Sequence, residues 1–130
     1  MTTSPSRIAI VDDDAEIVAM LVAFFHETLG VDVLPCPIGP AAPACIVAHR
    51  PQLSMLDVLL PGGRSGVDVL QAVRADPALR AVPVIFFSGT ADQVRQRLPS
   101  YRAQGVQVVE QPDIEHLSAV VQRLVPPPAA

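Results

Sequence analysis

The stretch Arg7-Ile-Ala-Ile-Val-Asp-Asp-Asp14 places a short apolar run directly before three aspartates. From Ile17 onward, apolar residues recur at i, i+3, i+4 and i+7, which indicates one face of a helix. The apolar run therefore predicts a buried strand. Asp13 or Asp14 is expected to cap the helix that follows, and Gly30 is expected to end it.

The same alternation of apolar runs and helical patterns continues through the rest of the chain. It favours a parallel sheet with helices on both faces. We expect an α/β, flavodoxin-like (βα)5 fold, a doubly wound parallel sheet with strand order 2-1-3-4-5. Further strands are predicted at 31–34, 52–57, 83–87 and 106–109, and further helices at 44–49, around 67–73, at 91–104 and at 114–124.

Length and charge limit the classes of protein to which the chain can belong. Its 130 residues suit one domain, expected at 7–125, with a disordered N-terminus at 1–6 and a Pro-rich tail or linker stub at 126–130. A net charge of −4 without a block of basic residues argues against nucleic acid or a membrane surface as a partner. The sequence shows neither a bilayer-spanning apolar run nor a secretion signal, so we expect a cytoplasmic protein.

Cysteine, histidine and lysine offer few functional candidates in the sequence. Cys36 and Cys45 match no metal or redox spacing and are interpreted as reduced thiols. The three histidines lack a partner at ligand spacing and are interpreted as surface or half-buried side chains. All nine basic residues are arginine, so no site in this chain contains a lysine amine.

Acidic side chains follow two neighbouring strands of the expected sheet. Asp12 and Asp13 come after the first strand and Asp57 after the third, so the three converge at one edge. Carboxylates this close repel by roughly 1–4 kcal/mol per pair, so the pocket requires a cation. Oxygen ligands with room for water suit Mg²⁺, and zinc is a poor candidate because no His or Cys stands at the strand ends.

Two polar side chains are expected to face these acids. Ser88 ends the fourth strand and Gln111 follows the fifth, so both could bind oxygens of a phosphoryl group carried by Asp57. Each feature alone has a simpler interpretation: a helix cap, a loop acid or a turn residue. Their occurrence together, in this order, is what indicates a functional site.

The ordered combination resembles the receiver domain of two-component response regulators, over about residues 7–125. Ile8-Ala-Ile-Val-Asp-Asp-Asp14 is similar to the family's first strand and acidic pair. Leu56-Asp-Val-Leu-Leu-Pro-Gly62 is similar to its phosphorylation-site motif, and Val82-Pro-Val-Ile-Phe-Phe-Ser-Gly89 to its fourth strand.

The resemblance implies a role for each matching residue. Asp57 would be the phosphoacceptor and Ser88 the switch hydroxyl. Asp12, Asp13, Asp57 and the backbone carbonyl of Leu59 would hold Mg²⁺. The phosphoryl donor would be a phosphohistidine on a sensor histidine kinase or a phosphotransfer protein.

The chain departs from the family pattern at several positions. Gln111 stands where the family has lysine, Val108 stands at the aromatic switch position, and Pro99 interrupts the predicted fourth helix. The loop after Asp57 carries about one extra residue. We therefore hypothesise that Asp57 is phosphorylated but that the phosphate is poorly coupled to a change of surface. An apolar Leu59 gives an attacking water no help, which predicts slow autodephosphorylation.

The function implied is a stand-alone receiver that signals through contacts with a downstream protein target. It would not be an enzyme beyond its self-catalysed phosphoryl transfer and autodephosphorylation. A Met1 start and a complete final helix favour a single-domain protein, while a fragment of a longer regulator stays open. A homodimer through the fourth and fifth helices also stays open, although Pro99 argues against it.

Two alternative functions remain at this point. The first is a pseudo-receiver, an adaptor or dimerisation module that works independently of phosphorylation. The second is an unrelated flavodoxin-like enzyme, which the absence of a Gly-rich phosphate loop after the first strand disfavours.

Overall fold

The computed structural model of the chain describes residues 6–38, 40–57, 66–88, 103, 105–111 and 113–125. Within these ranges the strands are β1 (Arg7–Val11), β2 (Asp32–Pro35), β3 (Leu53–Leu56), β4 (Val84–Ser88) and β5 (Val106–Glu110). The helices are α1 (Ala15–Leu29), α2 (Ala42–His49), α3 (Gly66–Ala75) and a C-terminal helix (Ile114–Leu124). The strands form one parallel sheet in the order β2-β1-β3-β4-β5, which confirms the predicted flavodoxin-like fold.

The central strands bury side chains on both faces of the sheet, as parallel strands do. In β1, Ile8 and Ile10 point into the layer that contains α1 and the C-terminal helix, here called the α1 layer. Ala9 and Val11 point into the opposite layer, which contains α2 and α3 and is called the α2–α3 layer. All four side chains are almost fully buried, because successive residues of a strand face opposite sides.

Specific caps define the two ends of α1. The carboxylate of Asp14 accepts hydrogen bonds from the backbone N–H groups of Glu16 (3.0 Å) and Ile17 (3.2 Å). At the other end, Gly30 adopts φ 64° and donates its N–H to the carbonyl of His26. Of the two predicted N-caps, Asp14 is the one used. The two preceding aspartates are not part of the cap.

Several element boundaries differ slightly from those predicted. α2 begins at Ala42, two residues before the predicted start, because Pro43 lies in its first turn, where a missing N–H breaks no helical hydrogen bond. β2 and β4 each lie one residue later than predicted. The predicted fourth helix at 91–104 lies outside the described residues except for position 103, and the predicted tail at 126–130 also lies outside them.

The described chain begins at Ser6, which is buried. Its backbone carbonyl accepts a hydrogen bond from the N–H of Asp32 (2.9 Å). Positions 1–5 of the predicted N-terminal segment lie outside the described residues. None of the helices in the described ranges is long and apolar enough to cross a membrane.

Candidate functional site

Three carboxylates meet at the C-terminal edge of the sheet and form what we call the acid pocket (Asp12, Asp13 and Asp57). Asp57 follows β3, and its N–H donates to the carbonyl of Val11 (2.9 Å), so it lies beside the end of β1. Each of the three offers a carboxylate oxygen, and these oxygens lie within 4.8 Å of one another. Asp12 and Asp57 are half-buried, and Asp13 is exposed. The structure thus brings together the three acids that the sequence placed at one edge.

The surroundings of Asp12 disfavour its charged form. Burial is the main cause and raises the pKa of this carboxyl above its usual value of 3.8. The backbone N–H of Asp14, 2.9 Å from Oδ1, and the amide of Gln111 lower the pKa in part. The neighbouring charges of Asp13 and Asp14 raise it again. Burial therefore outweighs the hydrogen bonds that Asp12 accepts and favours its neutral form.

Gln111 reaches the acid pocket from the end of β5. Its Nε2 donates to Asp12 Oδ2 (3.1 Å) and to the backbone carbonyl of Phe87 (2.8 Å), a pair of contacts we call the Gln111 bridge. Both partners accept hydrogen bonds only, so the amide nitrogen rather than the amide oxygen must face them. A side-chain amide has two N–H groups, and the bridge uses both.

The acid pocket fits Mg²⁺ by the chemistry and spacing of its donors. Mg²⁺ binds oxygen ligands at about 2.0–2.1 Å in an octahedron, so neighbouring ligands lie about 3 Å apart and opposite ligands about 4 Å apart. The oxygens of Asp12, Asp13 and Asp57 lie within 4.8 Å of one another, so small side-chain rotations bring them to these spacings. These three residues would hold the ion.

The remaining predicted site residues are only partly described. The backbone of Ser88 ends β4 opposite Glu110, while its side chain lies outside the described part of the chain. Leu59 and Pro99 also lie outside it. Val108, which stands where the family has an aromatic switch residue, is half-buried and packs against the α2–α3 layer.

The sequence profile of the response regulator receiver domain matches residues 8–122. The chain belongs to this family. This receiver is 35% identical to the DNA-binding response regulator MtrA of Mycobacterium tuberculosis over 94 residues, which are 72% of the chain and 39% of MtrA. It is 31% identical to the DNA-binding dual master transcriptional regulator RpaA of Synechocystis over 120 residues, 92% of the chain and 48% of RpaA.

The fold of this receiver matches that of solved receivers. The Vibrio cholerae chemotaxis protein CheY4 superimposes with a TM-score of 0.79 at 22% identity, over 94% of this chain and 100% of that chain. The chain spans less than half the length of the curated relatives named above.

Family membership confirms the resemblance drawn from the motifs and argues against an unrelated flavodoxin-like enzyme. Receiver domains belong to two-component systems, bind Mg²⁺ through acidic residues, and interact with histidine kinases and downstream effectors. The hydrogen bonds that Gln111 makes to Asp12 and Phe87 were not predicted. Their only signal in the sequence was the position of Gln111 after the fifth strand.

Proposed function

We propose that this receiver accepts a phosphoryl group on Asp57 from the phosphohistidine of a sensor histidine kinase or a phosphotransfer protein. The clustering of the Asp12, Asp13 and Asp57 oxygens within 4.8 Å carries the proposal. A carboxylate oxygen of Asp57 forms the new P–O bond as the P–N bond of the donor breaks, and the electron pair of that bond remains on the imidazole. Bound Mg²⁺ would supply positive charge to the phosphoryl oxygens.

The coupling of this phosphate to the rest of the domain is proposed to be weak. Asp12, Asp13 and phosphorylated Asp57 carry a charge of about −4, of which one Mg²⁺ offsets two units. Gln111 adds no positive charge, and both of its N–H groups are already used in the bridge. Gln111 would have to release Asp12 or Phe87 to reach a phosphoryl oxygen. The ammonium group of the family's lysine has three donors and could keep both contacts.

Val108 provides the second reason for weak coupling. It lies two residues before the end of β5, packed against the α2–α3 layer, and has no ring whose exposure can change on phosphorylation. We propose Ser88 as the hydroxyl that binds the phosphoryl group. Slow autodephosphorylation of Asp57 stays a prediction.

The signalling output is proposed to be binding to a protein target by a stand-alone domain in the cytoplasm. The chain is proposed not to act as an enzyme on a separate substrate. DNA binding is stated in the names of MtrA and RpaA, and each is more than twice as long as its matched segment. DNA binding is not proposed for this domain, because its net charge of −4 disfavours contact with DNA phosphates.

A phosphorylation-independent adaptor is the second candidate function. The observation that favours it is the Gln111 bridge, which ties the acid pocket to the backbone at Phe87 before any phosphate arrives. In that case the acids would remain in the chain without accepting a phosphoryl group.

Incubation with acetyl phosphate and Mg²⁺, followed by intact mass and amide spectra, tests the proposal. Wild type is expected to gain one phosphoryl group, with amide shifts confined to the pocket, and Asp57→Asn is expected to gain none. Gln111→Lys is the matched variant. The lysine adds one charge-assisted contact, worth about 1.5–3 kcal/mol, which should speed labelling about tenfold or more and extend the shifts into β5 and the C-terminal helix.

Two results would reject parts of the proposal. No mass gain in wild type at any Mg²⁺ concentration would favour the adaptor. Shifts in wild type as extensive as those in Gln111→Lys would show that phosphorylation is fully coupled without lysine.

A further inference from the structure

Cys36, Cys45 and His49 come together on the α2 side of the sheet, and we call them the thiol cluster. Their two sulfur atoms and one imidazole nitrogen lie within 4.8 Å of one another. Cys45 and His49 are four residues apart on α2 and therefore share one face of that helix. Cys36 directly follows β2 and approaches the same face, so the expectation that no cysteine stands at a strand end was wrong. The proposed phosphorylation of the receiver uses none of these three residues.

Buried backbone and core contacts hold the thiol cluster in place. The N–H of Cys36 donates to the carbonyl of Ile10 (2.8 Å), which fixes Cys36 beside β1. Ala42 and Ile46 are completely buried and pack α2 into the same core layer as Cys36. The relative position of the cysteine and the helix is therefore set by the fold and not by mobile surface side chains.

The cluster combines a buried ligand with two accessible ones. Cys36 is only 7% exposed, whereas Cys45 and His49 are half-buried. A cation can therefore reach Cys45 and His49 from solvent and then meet the sulfur of Cys36. Both cysteines are free thiols in the structure, so both sulfurs are available as ligands.

Two sulfurs and one imidazole nitrogen form a soft donor set. Such ligands favour Zn²⁺ or Cu⁺ over Mg²⁺, which takes oxygen ligands. With Zn–S near 2.3 Å and Zn–N near 2.0–2.1 Å, the donors around a tetrahedral ion lie about 3.6–3.8 Å apart. Because the three ligand atoms lie within 4.8 Å of one another, they need to approach by at most about 1.2 Å, which side-chain rotation can provide.

We propose that Cys36, Cys45 and His49 form a binding site for a thiophilic cation, Zn²⁺ or Cu⁺, separate from the acid pocket. With Zn²⁺ the fourth coordination position is filled by water, and with Cu⁺ the three protein ligands suffice. The binding of the cation replaces the two thiol protons, which pass to solvent.

The surroundings of Cys36 disfavour its thiolate form. Burial raises the pKa of its thiol, and the hydrogen bond with the thiol of Cys45 raises it further. The Cys36 thiol is therefore a poor nucleophile, because the thiolate is the reactive form.

Cobalt titration of the reduced, metal-stripped full chain tests this site. Co²⁺ bound by thiolate gives an intense charge-transfer absorbance in the near ultraviolet, whereas Co²⁺ bound by carboxylates does not. Excess Mg²⁺ is kept present to occupy the acid pocket. We expect the absorbance to saturate at one Co²⁺ per chain and to disappear when Zn²⁺ is added. Competition with Cu⁺ under reducing conditions then shows which of the two binds more tightly.

Two ligand variants and one control complete the experiment. Cys45→Ser and His49→Ala each remove a partly exposed ligand, and unfolding curves verify that both variants fold. Each should lower the Co²⁺ affinity by more than about 100-fold, because even the loss of a group that only hydrogen-bonds to a metal ligand commonly costs about 10–100-fold. His116→Ala removes an exposed imidazole from the C-terminal helix and should leave the titration unchanged.

Three outcomes would overturn the proposal. These are no thiolate absorbance in wild type, an unchanged titration in folded Cys45→Ser, and full affinity retained in His49→Ala. Failure of Asp57 phosphorylation would leave the cobalt result unaffected, since the two experiments share no residue.

Discussion

The acid pocket and the thiol cluster are the two groups of side chains, within the described residues, that have the spacing to hold a cation. They lie in different surroundings and offer different ligands. The acid pocket presents oxygens at the C-terminal ends of strands, and one of its acids, Asp13, is exposed. The thiol cluster presents sulfur and nitrogen between a strand end and a helix, with one ligand almost fully buried.

The difference lies in what holds each group together. The order of the strands assembles the acid pocket, because β1 and β3 are hydrogen-bonded neighbours that end at the same edge. The packing of α2 on the sheet assembles the thiol cluster. One site therefore depends on topology and the other on the fit of a short helix, and the two should respond differently to mutation.

Truncation of a buried side chain should have the largest effect on stability and should show which of the two sites depends on α2. Ile46→Ala on α2 and Leu21→Ala on α1 each remove a fully buried side chain, and each should lower the free energy of unfolding by about 2–5 kcal/mol. Urea unfolding measures this loss. Only Ile46→Ala should also weaken Co²⁺ binding, because it loosens the helix that carries Cys45 and His49. Equal Co²⁺ titrations in both variants would contradict the assignment of the cluster to α2 packing.

Removal of the charges of the acid pocket should impair the Mg²⁺-dependent reaction of Asp57 and leave Co²⁺ binding by the thiol cluster unchanged. The double variant Asp12→Asn/Asp13→Asn should lower the Mg²⁺-dependent rate of Asp57 labelling about 100-fold or more. Two charge-assisted contacts are lost, each worth about 1.5–3 kcal/mol. Thiolate absorbance with Co²⁺ should persist in this variant. Cys45→Ser should show the reverse pattern, and a shared loss in either variant would show that the sites are coupled.

The smallest expected effect is a pH dependence that belongs to the acid pocket alone. Because the folded-state pKa of Asp12 is raised above 3.8, its contribution to stability is fully present below that value and is lost as pH rises through the folded pKa. In metal-free buffer, the stability of wild type relative to Asp12→Asn should therefore decline as pH rises above 3.8. Thermal unfolding measures it, and added Mg²⁺ should reverse the decline. If the stability of wild type relative to Asp12→Asn instead rose with pH in metal-free buffer, the hydrogen bonds to Asp12 would stabilise its ionised form.

The acid pocket was predictable from sequence because it follows from a few local rules. An apolar run before Asp12, another before Asp57, and the alternation of strands with helices define which strands neighbour each other. The capping role of Asp14 was predictable on the same basis. Single-residue shifts at strand ends did not matter, since the acids still lie at the C-terminal edge.

The thiol cluster was not predictable by the same reasoning. Cys36 and Cys45 match no ligand spacing in the sequence, and the loop between them is rich in proline. Their proximity depends on where α2 begins. The helix was predicted to begin at position 44, but it begins at Ala42, with Pro43 in its first turn. The spacing of Cys45 and His49 was the one readable signal. It had meaning only once the segment was known to be a helix docked beside Cys36.

The Gln111 bridge also has a consequence for how the protein is made. Asp12 and Gln111 are 99 residues apart in the chain. At a synthesis rate of about 5–20 residues per second, about 5–20 s separate their appearance on the ribosome. During that interval Asp12 lacks the amide that later joins it to β4. The Gln111 bridge thus forms only when β5 has been synthesised and has joined the sheet, so a chain that ends before β5 would carry Asp57, the proposed phosphoacceptor, without that bridge.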